Sequence, residues 1–353
     1  MRPVLHAMNH QLYMRRCFDL ALNGSGFVAP NPLVGSVLVH DGRIVSEGWH
    51  AHYGGPHAEV HAISNLADRS LLPGCTLYVN LEPCNHFGKT PPCTDLILSS
   101  GIRKVVIANT DPNPLVSGKG IQKLKAAGIE VTAGILIEDG RNLNKRFFTF
   151  HEKQRPFIIL KWAESADRLI APLPENGKKG VTWLSNTLSR KLTHIWRSEE
   201  SSILVGSNTV MNDNPRLTVR GFKAKNPVRI VIDPDLNCDP GSHVFAGKEK
   251  VIVFNHLKND QIRNVSYVSV PRRGSMIKYA MKRLFENGIQ SVFVEGGSFT
   301  IQSFIEENLW DEARVFRTPV MLNDGISAPV LESAPNQTFS VLTDQLDFYI
   351  NPQ

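Results

Sequence analysis

One histidine and two cysteines in the first third of the chain have the types and spacing of a metal site. His57 stands two residues before Glu59, and Cys84, which follows Pro83, is separated from Cys93 by eight residues. One imidazole and two thiolates form a borderline-soft ligand set suited to tetrahedral Zn²⁺. Structural zinc sites normally have four protein ligands, so three ligands predict a catalytic metal with an open position for water.

Glu59 is near enough to such a metal to act on its water without being needed as a ligand. We predict that it carries a proton from the water to a ring nitrogen, and then to leaving ammonia, in the deamination of a nucleobase-like ring. H-x-E followed by P-C-x-x-C is the zinc deaminase signature, and the interval between the cysteines is longer here. A structural zinc in a non-enzymatic binding module is the alternative interpretation.

Alternating helices and strands must position these side chains. Helix starts at His57 and at the Pro-Pro pair before Cys93 would place ligands at helix N-termini, where thiolate is favoured over thiol. The Asp41-Gly42 pair predicts a two-residue hairpin turn. This pattern predicts an α/β layered deaminase domain over 1–146. Five β-rich apolar runs after Pro156 predict a second α/β domain over 147–353.

Length and composition limit the classes of protein to be considered. The 353 residues suit two domains, and 42% hydrophobic with 20% charged residues is ordinary globular composition. The net charge of +6 is spread along the chain without a basic and aromatic stripe, which favours phosphorylated small molecules over nucleic acid. No apolar run approaches the ~20 residues of a membrane span. We therefore expect a cytoplasmic enzyme with no membrane partner and no disulfide framework.

The run LEPCNHFGKTPPC, with NPLVGSVLV before it and ANTDPNPLVSGKGI after it, resembles the bifunctional riboflavin-biosynthesis deaminase/reductase family. The similarity extends over nearly the whole chain. It implies a cytidine-deaminase-like αβα domain followed by a dihydrofolate-reductase-like α/β domain. It also implies zinc-dependent hydrolytic deamination of 2,5-diamino-6-ribosylamino-4(3H)-pyrimidinone 5′-phosphate, NADPH-dependent reduction of the ribosyl group to ribityl, and a homo-oligomer that is a dimer or larger.

The resemblance assigns roles in the deaminase domain residue by residue. It makes His57, Cys84 and Cys93 the zinc ligands and Glu59 the proton shuttle. A cation, a hydroxyl and backbone amides around a glycine are what a phosphate monoester requires. The substrate contacts that the resemblance implies are Asn31 and His50 at the ring and Lys89, Thr90 and Asn113 around the ribose phosphate. For Asn31, which lies between two prolines, a turn-forming role is equally open.

In the second domain, VFVEGGS reads as a strand followed by a glycine turn, and Ser298 opens a helix. Such a turn can hold a phosphate on backbone N–H groups, although it is not the dinucleotide fingerprint. The resemblance implies that NADPH passes hydride to the sugar C1′ and that the protein aligns two bound molecules. The implied residues are Lys161 near the reacting sugar; Arg197, Leu217, Arg220 and Glu295 at the substrate; and Ala163, Trp183, Thr209, Asp213, Gly297 and Ser298 at the cofactor.

This half also departs from the family pattern. The family usually has S-x-D-G-[KR], whereas this chain has Ser165-Ala166-Asp167-Arg168 without a glycine, and Val181 stands where Ser is frequent. We expect both departures near the mouth of the reductase site. They leave open a deaminase with a catalytically silent second domain. A nucleic-acid-editing deaminase with an RNA-binding second half is a further alternative, and it predicts steeply salt-dependent RNA affinity.

Overall fold

The computed structural model describes residues 2–86, 91–114, 116–173, 180 and 182–352. The chain divides into two compact units, Met1–Gln154 and Arg155–Gln353. The expected junction after residue 146 lies inside a helix, Lys145–Lys153, that belongs to the first unit. Phe147 and Phe148 of this helix are buried in a cluster with Leu81, so the helix completes the core of the first unit.

Within its described residues, the first unit contains five strands and six α-helices. The strands are β1 (Gly35–His40), β2 (Arg43–Trp49), β3 (Thr76–Leu81), β4 (Lys104–Asn109) and β5 (Glu130–Ala133). The helices are α1 (Arg2–Leu22), α2 (Ala58–Ser64), α3 (Cys93–Ser99), α4 (Lys119–Ala126), α5 (Ile137–Leu143) and α6 (Lys145–Lys153). The sheet order is β2-β1-β3-β4-β5, in which β1 is antiparallel to both neighbours and the other pairs are parallel.

Apolar residues on both faces of this sheet explain its two helical layers. Leu77 and Val105 pack with Ile97 of α3 and Leu124 of α4 on one face. On the other face, Tyr78 and Val106 pack with Met14 of α1. The predicted αβα layering is therefore confirmed. The predicted hairpin is confirmed as well, because Asp41 and Gly42 join β1 to β2 with φ of 48° and 73°, the left-handed values of the expected turn.

The second unit is built on a ten-stranded sheet in the order β11-β12-β10-β9-β8-β13-β6-β14-β17-β16. Its strands are β6 (Phe157–Glu164), β7 (Leu169–Ala171), β8 (Ser202–Gly206), β9 (Val228–Ile232), β10 (Val251–Asn255), β11 (Asp260–Ile262), β12 (Val265–Ser269), β13 (Ser291–Val294), β14 (Glu312–Arg317), β15 (Ile326–Ser327), β16 (Gln337–Val341) and β17 (Asp344–Ile350). Strands β7 and β15 form a separate pair. The strands from β12 to β14 in this order are parallel, which requires a helical crossover on one face or the other.

The α-helices found in the described part of this unit are α7 (Thr187–Glu199), α8 (Ser207–Asp213), α9 (Met276–Glu286) and α10 (Ser298–Glu306). Residues of α9 and α10 pack with Ile158 and Leu160 of β6 on one face. Trp196 of α7 and Val210 of α8 pack with Ile159 on the other. Because strand residues alternate between faces, Lys161 shares the α7 face with Ile159. Among the described residues of both units, no helix is long and apolar enough to cross a membrane.

Candidate active sites

The predicted zinc ligands come together from three adjacent elements. His57 is the N-cap residue of α2, Cys93 is the first residue of α3, and Cys84 follows strand β3. Their ligand atoms all lie within 4.8 Å of one another. The His57 Nδ1 atom is 3.2 Å from the Cys93 sulfur and 3.5 Å from the Cys84 sulfur. The strand and the two helix starts therefore converge on one point.

These distances fit a zinc ion. Zn–N bonds of about 2.0–2.1 Å and Zn–S bonds of about 2.3 Å in a tetrahedron require N···S separations near 3.5 Å. Both measured N···S distances are close to that value. Among the described residues, no fourth His, Cys, Asp or Glu joins the cluster. The donor set is therefore the open, three-ligand type of a catalytic metal.

The two cysteines differ in acidity. The hydrogen bond from the Cys93 thiol lowers the pKa of Cys84 to about 4, and the same contact with Cys84, together with burial, raises the pKa of Cys93. Contact with Cys84 also raises the pKa of His57. The close contact of the two sulfurs thus favours loss of a proton from the pair, and a thiolate is the form of cysteine that binds a metal.

Glu59 lies in the first turn of α2 and is only 3% exposed. Burial raises its pKa to about 7. A carboxyl group with that pKa can both accept and release a proton near neutral pH, as a proton shuttle must. The structure therefore places this residue beside the ligand cluster, with an acidity that suits the predicted role.

Asn31 and His50 are brought together next to the ligands. The His50 Nδ1 atom lies 2.9 Å from the Pro56 carbonyl oxygen, and its Nε2 atom lies 3.0 Å from Asn31 Nδ2. This arrangement assigns the ring proton to Nδ1, so Nε2 accepts from the amide. The rings of His50 and His57 meet edge to face at 5.5 Å between centroids. Burial lowers the pKa of His50, which keeps the ring neutral.

Two asparagines that the sequence analysis did not single out hold the loop that carries Asn31. Asn144 pairs with both backbone groups of Leu33, accepting from its N–H at 2.8 Å and donating to its carbonyl at 2.9 Å. Asn80 accepts from the Gly35 N–H and donates to the Leu33 carbonyl. The sequence signals that could have indicated this role are an asparagine near the end of a strand, Asn80, and one just before a helix, Asn144. The loop geometry therefore depends on residues distant in sequence.

The predicted contacts around the ribose phosphate are described only in part. Lys89 and Thr90 lie outside the described residues. Asn113 lies in the loop before α4, where its backbone N–H donates to Asp111 Oδ1 at 2.8 Å. Burial raises the pKa of Asp111 to about 6.

In the second unit, a cavity of about 410 Å³ opens on the α7 face of the large sheet. Ser298, the first residue of α10, is not among the residues that line it, and Val181 lies outside the described residues. The predicted reductase residues that line the cavity are Lys161, Ala163, Trp183, Arg197, Thr209, Asp213, Leu217, Arg220, Glu295 and Gly297. Residues spread over more than a hundred positions thus share one concave surface.

A buried charge network forms the floor of this cavity. Glu295 accepts from Arg197 Nε at 2.6 Å and Nη2 at 2.9 Å, and its Oε2 atom lies 3.9 Å from Lys161 Nζ. Burial lowers the pKa of Lys161. Burial acts to raise the pKa of Glu295, but the charge and hydrogen bonds of Arg197 outweigh it and the net pKa is lowered. The carboxylate is therefore ionised and the nearby ammonium is a stronger acid than usual.

The structure divides the arginines of the cavity into two kinds. The guanidinium of Arg197 donates hydrogen bonds to Glu295 and, through Nη1, to the Thr218 carbonyl oxygen at 3.1 Å. Arg220 is exposed on the cavity wall. Positive side chains outnumber acids in the lining, with Lys161, Arg190, Arg197, Arg216 and Arg220 against Asp213 and Glu295. Such an excess suits anionic ligands.

His194 also lines the cavity, one helical turn before Arg197, and the sequence analysis did not identify it. Burial, with the charges of Arg197 and Arg220, lowers its pKa to about 4. The imidazole is therefore neutral at physiological pH. The i, i+3 spacing from Arg197 on one helix face is the signal that could have revealed it.

The ends of β8 and β13 meet at this cavity, which is lined by Val205, Gly296 and Gly297. A Cβ atom on Gly206 would lie 2.4 Å from Thr300 Oγ1, and one on Gly296 would lie 3.0 Å from the Gly206 nitrogen. The Gly297 N–H donates to Thr209 Oγ1 at 2.8 Å. The backbone therefore approaches closely where two parallel strands end, the usual place for a cofactor phosphate. Trp183, 57% exposed, lies in the same lining, with the guanidinium of Arg190 over its ring at 4.9 Å from the centroid.

The segment Ser165–Arg168, which departs from the family pattern, is a turn between residues that line the cavity, Ala163 on one side and Ile170 on the other, but none of its own residues lines the cavity. Arg168 keeps the left-handed backbone that favours glycine, with φ of 63°. Its guanidinium donates to the fully buried Glu164 at 2.7 Å and lines a second cavity rather than the one around Lys161. The missing glycine therefore changes a turn outside the cavity that holds the predicted reductase residues.

Two family models match the chain. The cytidine and deoxycytidylate deaminase zinc-binding region matches residues 7–109. The RibD C-terminal domain matches residues 156–342. Each model covers one of the two candidate sites.

Curated and solved relatives match almost the whole chain. The riboflavin biosynthesis protein RibD of Aquifex aeolicus is 43% identical over 89% of this chain and 88% of its own length, and that of Escherichia coli is 33% identical over 89% of each. The crystal structure of the diaminohydroxyphosphoribosylaminopyrimidine deaminase/5-amino-6-(5-phosphoribosylamino)uracil reductase of Thermotoga maritima superposes with a TM-score of 0.86 at 36% identity, covering 98% of this chain and 99% of that one. By identity and coverage, this chain belongs to the riboflavin biosynthesis protein RibD family.

Proposed function

We propose that this chain catalyses two steps of riboflavin biosynthesis. The first unit removes the ring amine of 2,5-diamino-6-ribosylamino-4(3H)-pyrimidinone 5′-phosphate, and the second reduces the ribosyl group of the product to ribityl with NADPH. The observation that carries the proposal is the open His57, Cys84 and Cys93 set beside buried Glu59. The second activity is supported by the match of residues 156–342 and by the cation-rich cavity around Lys161.

In the deaminase step, the side chains of this chain bind, orient and move protons. When bound, Zn²⁺ supplies a nucleophile that is activated near neutral pH. Glu59 takes up the proton released as that nucleophile forms. It delivers that proton to a ring nitrogen as the nucleophile's oxygen bonds to the amine-bearing ring carbon. It then takes the remaining proton of the added oxygen and passes it to the amine, which leaves as ammonia when its bond to the ring carbon breaks. Asn31, fixed by His50, presents its Oδ1 atom to an N–H of the ring.

In the reductase step, NADPH supplies the hydride that goes to the sugar C1′. As the bond from C1′ to the ring oxygen of the sugar breaks, Lys161 Nζ gives that oxygen a proton, which its lowered pKa favours. Glu295 orients this ammonium, and Arg197 orients Glu295. Arg220 binds the substrate phosphate, because Arg197 already satisfies two internal acceptors.

A silent second unit is the alternative that we do not favour. Of the two departures that suggested it, Arg168 is not among the residues that line the reductase cavity, and Val181 lies outside the described residues. The buried network of Lys161, Glu295 and Arg197 is complete. A buried carboxylate between two cations is costly to maintain without a role in binding or catalysis.

The same proposal includes assembly and location. We expect a homo-oligomer, because large apolar side chains stay exposed on the second unit, with Leu342 at 70% and Ile350 at 61%. We also expect the protein to work in the reducing cytoplasm, and its five cysteines, two of which are the proposed zinc ligands, form no disulfide.

A coupled assay tests the proposal. Zinc-loaded full chain is given the diaminopyrimidine ribosylamino phosphate, and ammonia release and NADPH absorbance are followed together. We expect ammonia first and then NADPH oxidation in equal amount. Ammonia without NADPH oxidation would reduce the second unit to a scaffold. No ammonia from folded, zinc-replete protein would contradict the central claim.

A further inference from the structure

The glycine-containing turn before α4 has the composition of an anion-binding loop. The segment Ser117-Gly118-Lys119-Gly120 leads directly into the helix, and Gly118 caps it with φ of 74°. Free N–H groups at the start of a helix attract anions. The first turn of α4 carries no acidic side chain of its own that could satisfy them.

Glu82, from another part of the chain, already fills this loop. Its Oε1 atom accepts from the N–H groups of Gly120 at 2.9 Å and Ile121 at 3.1 Å. Its Oε2 atom accepts from Gly118 at 2.9 Å and Asp111 at 3.2 Å. The side chain is 4% exposed. Four backbone donors on one buried carboxylate leave no room there for a phosphate.

Glu82 is also the residue that begins the loop of a zinc ligand. It follows β3, its N–H donates to the Asn109 carbonyl oxygen at 2.9 Å, and Cys84 comes two residues later. A Cβ atom on Gly120 would lie 2.2 Å from the Pro83 carbonyl oxygen, so α4 begins in direct contact with this loop. The carboxylate therefore joins the ligand loop to the segment that contains Asn113.

The segment around Asn113 is a hydrogen-bonded turn, so its position can depend on the hydrogen bonds that Glu82 accepts from it. The carbonyl oxygen of Asn113 accepts from the N–H groups of Val116 and Ser117, both at 2.8 Å, and its own N–H donates to Asp111. Glu82 holds this turn at both ends, through Asp111 and through Gly118. Residue 115 is outside the described part of the turn.

We infer that Glu82 is a positioning residue of the deaminase site: it fixes the Asn113 turn relative to Cys84 and thereby sets the affinity for the phosphorylated substrate. The inference rests on the proposed deaminase function. It also implies that the start of α4 does not itself bind the substrate phosphate.

Glu82→Gln in the full chain tests this inference. The amide keeps the shape of the side chain but presents N–H to two backbone donors. We expect KM of the deaminase step to rise at least about tenfold, because charge-assisted bonds are lost and donors are left unpaired. Zinc content should stay at one per chain, and kcat should change less than KM. Amide hydrogen exchange at Gly118, Gly120 and Ile121 should become faster.

Glu82→Ala with added formate tests whether the carboxylate itself is responsible. The truncated side chain leaves space beside the four donors, so formate should lower KM toward the wild-type value while chloride at the same ionic strength should not. Glu130→Gln is the matched control, since Glu130 is an exposed acid of the same unit that pairs with Lys104 at 3.1 Å. NADPH oxidation by the second unit checks each preparation.

The experiment distinguishes failure of the proposed deaminase function from failure of the inference about Glu82. An inactive wild-type chain would contradict the proposed function, whereas exchange at Gly118 to Ile121 would still report on the contact. An active wild type with unchanged KM in Glu82→Gln would overturn the inference. So would a fall in kcat with loss of zinc at constant KM, or a formate effect equal to that of chloride.

Discussion

The two candidate sites of this chain differ in how many residues form them and in how far apart those residues stand in the sequence. The first gathers three ligands from one strand end and two helix starts within 57–93, around a single point. The second spreads its residues over a cavity of about 410 Å³, with a central ion pair between Arg197 and Glu295 at a separation of 98 positions. A metal brings its own reactivity, so a few donors suffice. Hydride transfer requires two anionic molecules to be aligned, which takes a surface.

Electrostatics follow the same division. In the first site, burial raises the pKa of the Glu59 carboxyl toward neutral pH, and contact with the Cys93 thiol lowers the pKa of Cys84. In the second, positive charge dominates and a carboxylate is kept ionised by the arginine bound to it. If the sites are independent, changes in one should leave the activity of the other intact. The following substitutions test that comparison.

Glu59→Gln should have the largest effect. The amide cannot carry a proton, so kcat of ammonia release should fall by about 10²- to 10⁴-fold while zinc content is retained. Reduction of the deaminated intermediate, supplied directly, should proceed at the wild-type rate. A fall in that rate would show that the two sites are coupled.

Glu295→Gln should be the counterpart in the second unit. It leaves Lys161 and Arg197 as buried cations without their carboxylate, and we expect reductase kcat to fall about 100-fold, equivalent to about 2.7 kcal/mol. Ammonia release is the internal control. Wild-type NADPH oxidation in this variant would refute the assigned role of the network.

Arg220→Met should change binding rather than turnover. We expect KM for the pyrimidine phosphate to rise about tenfold, with kcat and the KM for NADPH nearly constant, because one charge-assisted contact is lost. Lys282→Met, at an exposed position of α9, is the matched control. If the KM for NADPH rose by the same factor, Arg220 would have to be assigned to cofactor binding instead of substrate binding.

Asp111→Asn should have the smallest effect and concerns stability. The folded pKa of about 6 lies above the ordinary 3.8, so the ionised carboxyl destabilises the folded chain above pH 6, and this penalty disappears as the pH falls from 6 to 4. The variant should therefore gain about 1–2 kcal/mol at pH 7.5 and nothing at pH 4. The urea midpoint of deaminase inactivation measures the gain at pH 7.5, and amide exchange measures it at pH 4.

Features that depend on residues close together in the sequence could be predicted, and features that depend on distant partners could not. His57, Cys84 and Cys93 could be identified from residue type and spacing, because metal chemistry restricts both. Asp41-Gly42 predicted its hairpin because only a few residue pairs adopt that turn. Glu82 could not be assigned, since its four donors lie 29 to 39 positions later and an acid after a strand has many possible partners.

The second unit shows the same limit more strongly. Lys161, Glu295 and Arg197 stand on three separate elements, and no local pattern states that their side chains meet. The family resemblance, rather than spacing, brought them into one prediction. The extent of α6 was also hidden, because burial of Phe147 and Phe148 depends on a cluster with Leu81 that the segment alone does not reveal.

The pairing of Asn144 with Leu33 has a consequence for synthesis on the ribosome. All three zinc ligands emerge by residue 93, but the loop that carries Asn31 gains its partner only 111 positions after Leu33. A nascent chain can therefore hold its metal ligands long before the loop that carries Asn31 is fixed, since contacts of such separation form late. A chain that stops at residue 143, after α5, would carry His57, Cys84 and Cys93 and yet lack Asn144, the residue that fastens the Asn31 loop.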